Sequence, residues 1–134
     1  GNDWFEVKSI SNNKPTVFIS SIEQLESTSD GKLIVFHMEK MSPEFNGYSL
    51  NPLVEDILNS FALESDRDLF LDKLAQAKYA YSEIYDNYVY NVVKTEKYRV
   101  TDNFPRFKHD DLPRGIVKVK YEIELSVIEK FKEI

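Results

Sequence analysis

The residues near the start of the chain best placed to do chemistry are Glu6 and Lys8. They lie in Asp3-Trp4-Phe5-Glu6-Val7-Lys8-Ser9-Ile10, whose aromatic and β-branched residues predict a strand. A strand turns successive side chains to opposite faces, so Trp4, Glu6 and Lys8 share one side and Phe5, Val7 and Ser9 the other. A carboxylate and an ammonium two residues apart on one face can act at a single point. Hydrolysis of a phosphodiester by bound Mg²⁺ needs hard oxygen ligands, an activated water and a cation near the developing charge. Glu-x-Lys supplies one carboxylate and one cation toward that set. The same two residues also make an ordinary ion pair, which contributes about 0.2–1 kcal/mol, and the three-residue pattern alone does not choose between the roles.

The rest of the chain must position this pair. Residues 11–15 form a turn cluster, and residues 16–20 predict a second strand hairpinned to the first. Ser21-Ile22-Glu23-Gln24 has the form of a capping box, in which Ser21 caps a short helix and Gln24 reaches back to its amide. Residues 32–39 contain the apolar run 33–36 and read as a central strand buried on both faces. After a loop over 41–48, Asn51 is the expected cap of a helix with Pro52 at its first position. Leu53, Val54, Ile57, Leu58 and Phe61 follow at helical spacing. Ser65 caps a second helix, with Asp66 and Asp68 favourable in its first turn. Each amphipathic helix is expected to cover one side of the sheet. From Tyr85 the alternation changes to that of a strand, either one long strand or, as the favoured alternative, a hairpin or bent strand turned near residues 94–96. Residues 103–115 read as a loop, residues 117–124 as a half-exposed strand, and residues 126–134 as a short helix. The pattern is that of an α/β (α+β) fold, a mixed β-sheet flanked by helices.

With 134 residues the chain is expected to be a single domain over 1–134. Hydrophobic content of 42% and charged content of 30% are those of an ordered globular protein. The absence of cysteine excludes disulfides and cysteine-ligated metals and fits a cytoplasmic location. No apolar run approaches the roughly 20 residues of a membrane span. The start at Gly1, without Met, suggests the C-terminal portion of a longer protein. The net charge of −6 argues against a nucleic-acid binder, but it is unevenly spread. Residues 94–120 hold eight Lys/Arg against four Asp/Glu, a local +4, so the remainder carries −10. Within that segment Arg99, Arg106, Lys108, Arg114, Lys118 and Lys120 are the candidate phosphate contacts. His37 and His109 have no third ligand nearby in sequence, which is a poor zinc pattern. The tyrosines at 79, 81, 85, 88 and 90 suit either packing or base stacking.

Several stretches together resemble a family of the PD-(D/E)XK nuclease superfamily. They are Trp4-Phe5-Glu6-Val7-Lys8-Ser9, Thr16-Val17-Phe18-Ile19-Ser20 with Glu23-Gln24-Leu25, Tyr98-Arg99-Val100, Phe104-Pro105-Arg106, and Leu112-Pro113 with Gly115-Ile116 leading to Tyr121. The resemblance runs over nearly the whole chain. It implies a restriction-endonuclease-like fold, here without its N-terminal elements. It implies Mg²⁺ as cofactor, Glu6 as metal ligand, and Lys8 as the group that positions or activates the attacking water. It gives Gln24 a possible catalytic place, beside its capping role. It further implies a DNA endonuclease-like domain of a bacterial restriction or phage-defence system. The superfamily motif also needs an Asp on a preceding strand. Asp3 has the wrong parity for it, so this chain is expected to be inactive by itself. The alternative is a non-catalytic nuclease-like module that binds DNA or protein. An exposed sheet edge in either case invites a homodimer.

Overall fold

The computed structural model describes residues 3–134. The chain forms two compact units, one built from the residues up to Met38 together with Val92–Ile134, the other from Glu39–Asn91. Its strands are β1 (Phe5–Ser11), β2 (Thr16–Ile19), β3 (Gly31–Met41), β4 (Val89–Val100) and β5 (Tyr121–Glu124). Its helices are α1 (Leu50–Ser60) and α2 (Glu64–Gln76). No helix among the described residues is long and apolar enough to cross a membrane.

In the first unit β3 is the central strand of a sheet ordered β1-β3-β4, as the apolar run 33–36 predicts. β1 runs parallel to β3, with Glu6 opposite Leu33, Lys8 opposite Val35 and Ile10 opposite His37. β4 runs antiparallel to β3, since His37 meets Glu96 while Lys32, nearer the start of β3, lines a cavity with Arg99 and Thr101. The sheet is therefore mixed, and the fold is the expected α+β, restriction-endonuclease-like architecture. One face of β3 is fully buried through Leu33, Val35 and His37, while Ile34 and Phe36 on the other face are half-buried. The fully buried side chains Val17, Ile19, Leu25, Leu33, Val35, Tyr98, Val100 and Ile128 form one core. Burying each large aliphatic side chain contributes about 1.5–3 kcal/mol before entropy is subtracted.

Several local expectations are corrected. β2 does not form a hairpin with β1; it pairs antiparallel with β5 in a separate two-stranded sheet. Val17 and Ile19 find the matching apolar partner in Ile123, opposite Val17, about a hundred residues on, which no local signal announces. Residues 22–24 form only a 3₁₀ turn, and Ser21 makes no capping hydrogen bond. β4 is one continuous strand over Val89–Val100, with no hairpin at 94–96. The strand expected over 117–124 shortens to β5, and Val117 is exposed. In the tail a 3₁₀ turn at Glu129–Phe131 replaces the expected helix, with Ile128 and Phe131 buried.

In the second unit both helices begin earlier than expected. Ser49, not Asn51, precedes α1, and Leu63, not Ser65, precedes α2. Asn51 is spent elsewhere. Its amide donates to Ser82 O (2.8 Å) and Asp86 Oδ1 (3.2 Å), and its carbonyl accepts from Tyr79 Oη (2.6 Å). A buried amide with three partners ties α1 to the 3₁₀ turn Glu83–Asn87. α2 buries no residue. Of the tyrosines, Tyr79 and Tyr85 stack at 5.9 Å, and Lys40 sits 4.6 Å from the Tyr88 ring centre, which is packing within this unit.

Candidate active site

β1 is inside out. Phe5 and Val7 are 57% and 53% exposed, while the side chains of Glu6 and Lys8 are only 24% and 17% exposed. A strand with one buried face normally turns its apolar residues inward. Here the parallel register sets Glu6 and Lys8 beside Leu33 and Val35, on the core side of the sheet. Trp4 fixes the start of the strand. Its indole donates to Ser29 O (3.0 Å) and lies so close over Gly31 that a β-carbon there would come within 2.0 Å of the ring.

Lys8 is the centre of the resulting cluster. Its Nζ donates to Gln24 Oε1 at 2.8 Å and lies 3.7 Å from Glu6 Oε1. Gln24 Oε1 also accepts from the Ser20 amide (3.0 Å), and Gln24 Nε2 donates to Ser20 Oγ (2.8 Å). So Gln24 does reach back to a backbone amide, but to that of Ser20, and its oxygen is shared with Lys8. The three sequence-predicted residues Glu6, Lys8 and Gln24 are brought together. Ser20 joins them, and sequence reasoning missed it; its only signal is its place at the end of β2, four residues before Gln24. A partly desolvated ammonium held between a carboxylate and an amide can donate to a phosphate oxygen or a water.

The turn carrying Gln24 is anchored from the basic segment. Arg106 Nη1 donates to Leu25 O at 2.6 Å. The His109 amide donates to Glu26 Oε2 at 2.5 Å, its Nδ1 lies 2.7 Å from Glu26 Oε1, and its Nε2 lies 3.2 Å from Glu23 Oε1. Both ring nitrogens thus face carboxylate oxygens, and only the doubly protonated imidazolium can donate to both. The side-chain hydrogen bond to Glu26 and the flanking carboxylates raise the His109 pKa, against a smaller opposing effect of desolvation. The hydrogen bonds from His109, backbone first, hold the Glu26 carboxyl below its ordinary value.

The six candidate phosphate contacts are dispersed. Arg106 is half-buried against Leu25, and Lys108 is half-buried with its amide on Asp111 Oδ2. Arg99 is exposed on the sheet face opposite Tyr98 and Val100. Arg114, Lys118 and Lys120 are exposed in the segment before β5. None of the six pairs with Glu6, Lys8 or Gln24.

The donor set does not complete a Mg²⁺ site. Glu6 is the one carboxylate of the cluster, and it shares its space with an ammonium. Asp3 lies exposed before β1. Among the described residues no group of three or more His, Cys, Asp or Glu side chains could hold a metal ion.

Residues 1–126 match the family described as "Putative PD-(D/E)XK family member, (DUF4420)". The chain belongs to this family. No curated protein and no solved structure matches it. Membership accords with a Glu-x-Lys strand whose charged face is turned to the core side of a mixed sheet, beside a glutamine on the following turn.

Proposed function

We propose that this chain carries the Glu-x-Lys half of a DNA endonuclease centre of the Mg²⁺-dependent PD-(D/E)XK kind, serving a bacterial restriction or phage-defence system. The observation that carries the reading is the inward-turned strand β1, which spends two core-side positions on Glu6 and Lys8 and places Lys8 Nζ on Gln24. Lys8, steadied by Gln24, donates to a non-bridging oxygen of a DNA phosphodiester, and Glu6 is the residue that would contribute to holding the metal. With a single carboxylate these residues do not suffice for metal-dependent hydrolysis, and the 134-residue chain by itself binds DNA without cutting it. The exposed cations Arg99, Arg114, Lys118 and Lys120 add sequence-independent attraction to the phosphate backbone.

The test is duplex binding by fluorescence anisotropy at low and moderate salt, run beside plasmid cleavage in Mg²⁺. The reading expects salt-sensitive binding, weakened by Lys8→Ala, and no cleavage. Cleavage by the chain in Mg²⁺, or binding that Lys8→Ala leaves intact, would overturn it.

A second reading is a nuclease-like module that binds DNA or a partner protein and has no catalytic role in any context. The incomplete metal set favours it. On this reading Lys8→Ala leaves DNA affinity unchanged while Arg114→Ala and Lys118→Ala lower it. β1 is also an edge strand with an apolar outer face, which supports a homodimer formed by edge pairing. Light scattering that finds only monomer at all concentrations rules the dimer out.

A further inference from the structure

A second polar cavity lies elsewhere on the first unit and shares no residue with the Glu6–Lys8–Gln24–Ser20 cluster. Its volume is about 370 Å³, and its lining includes Lys14, His37, Lys94, Glu96, Glu129 and Lys132. His37 is 2% exposed. Its Nε2 lies 2.7 Å from Glu96 Oε1, but not in line for a good hydrogen bond, and its Nδ1 has no partner. Buried polar groups are almost always satisfied by protein, water or ligand, so the unpartnered imidazole of a residue that lines a polar cavity marks a place for a further polar group.

The surrounding charges say which kind. Glu96 is contacted by three cationic or cation-forming groups: His37, Lys132 Nζ at 3.0 Å and Lys94 Nζ at 3.5 Å. Lys132 also pairs with Glu129. Burial works to raise the Glu96 pKa, yet the Lys132 hydrogen bond and the nearby positive charges more than offset it and hold the carboxyl ionised. Both carboxylates of the wall are therefore already matched. The Lys14 ammonium is matched by nothing, and Lys94 is more than half exposed with only one long contact. Three ammonium groups against two carboxylates leave the cavity with a surplus cation and a spare imidazole nitrogen. A metal ion is disfavoured there, because ammonium groups occupy the carboxylates it would need.

We propose that this cavity is a binding site for a small phosphate-bearing dianion, held by Lys14 and Lys94 with the unpartnered His37 imidazole as a further hydrogen-bonding group. The tetrahedral group offers several acceptor oxygens to donors that approach from β3, β4 and the turn between β1 and β2. The apolar walls at Pro15 and Leu125 leave room for an organic group esterified to the phosphate. The proposal does not depend on the function assigned to Glu6 and Lys8.

The test is isothermal titration of the 134-residue chain with inorganic phosphate and, separately, with deoxyadenosine 5′-monophosphate, at constant ionic strength. Saturable binding is expected, with amide shifts in ¹H–¹⁵N spectra confined to the surroundings of Lys14, His37 and Lys94. Tighter binding of the mononucleotide identifies a phosphate ester as the ligand, and equal binding identifies the bare dianion. Lys14→Ala and Lys94→Ala, both at exposed positions and compatible with folding, should each weaken binding about tenfold, the loss expected for one charge-assisted hydrogen bond. His37→Gln should also weaken it, and Lys73→Ala, at an exposed position on α2 outside the cavity, should not. No saturable binding of either ligand, or binding that survives both lysine substitutions, overturns the proposal.

Discussion

Replacing Gln24 by alanine removes three hydrogen bonds at once. The first is the charge-assisted bond from Lys8 Nζ, 2.8 Å long and largely shielded from water. A hydrogen bond to a charged group contributes about 1.5–3 kcal/mol when buried, and partial exposure places this one at the low end, about 1.5 kcal/mol. The other two join Gln24 to the Ser20 amide and hydroxyl near the surface, where water substitutes readily, so together they add about 0.5 kcal/mol. Gln24→Ala should therefore cost about 2 kcal/mol in urea unfolding, read as a lower midpoint at unchanged slope. Gln24→Glu keeps an acceptor for Lys8 and for the Ser20 amide, while the Ser20 hydroxyl can turn to donate, so it should recover most of the loss. Ser21→Ala supplies the contrast. A capping box at Ser21 would make that change cost about 1 kcal/mol, but Ser21 makes no such bond, and the change should stay within about 0.5 kcal/mol. A Gln24→Ala loss below about 0.5 kcal/mol, or a Ser21→Ala loss larger than it, would refute the hydrogen-bonding account of this turn.

Three further outcomes follow from the same geometry. Gly31→Ala drives a β-carbon into the Trp4 indole at 2.0 Å, and a rigid ring cannot yield cheaply; denaturant unfolding should show a loss of about 1–3 kcal/mol. Arg106→Ala removes the guanidinium on Leu25 O and should lower stability by about 1–2 kcal/mol, whereas Lys118→Ala, at an exposed position, should change it by less than about 0.5 kcal/mol. The His109 clasp is pH-dependent. Its folded pKa is raised above the ordinary 6.5, so its contribution is full below about pH 6.5 and fades as pH rises through the folded value. Glu26 is lowered from the ordinary 4.5, so its share is full above that value and fades in more acid solution. The stability difference between the chain and its His109→Gln variant should thus be widest between these two values; a difference that grows above pH 8 would contradict the clasp.

The alternation of residues 4–10 alone showed that Glu6 and Lys8 share a face. What it could not show is that this charged face, not the Phe5 and Val7 face, would turn toward the core. That choice is made by the parallel register with Leu33 and Val35, set across more than twenty residues of intervening chain. The central strand was legible because an uninterrupted apolar run has few other uses. β2 pairs with β5 and not with β1, its nearest neighbour in sequence, because the apolar complement of Val17 lies in Ile123. Asn51 carries the cap signature, yet the tertiary partners Tyr79, Ser82 and Asp86 compete for its side chain and win. Gln24 was legible as a residue that reaches back to an amide, but its shared oxygen on Lys8 depends on a contact between β1 and the turn after β2 that spacing does not encode. The His37–Glu96–Lys132 cluster joins three distant segments and left no local signature at all.

The central claim is that Lys8, held by Gln24 on an inward-facing strand, contacts a DNA phosphate in a centre that lacks the ligands to cut. It is tested most directly by measuring, on one sample, duplex affinity and Mg²⁺-dependent plasmid nicking for the chain and for Lys8→Ala. The account predicts binding that Lys8→Ala weakens, with no nicking by either protein. Nicking by the chain in Mg²⁺, or affinity indifferent to Lys8, would contradict it.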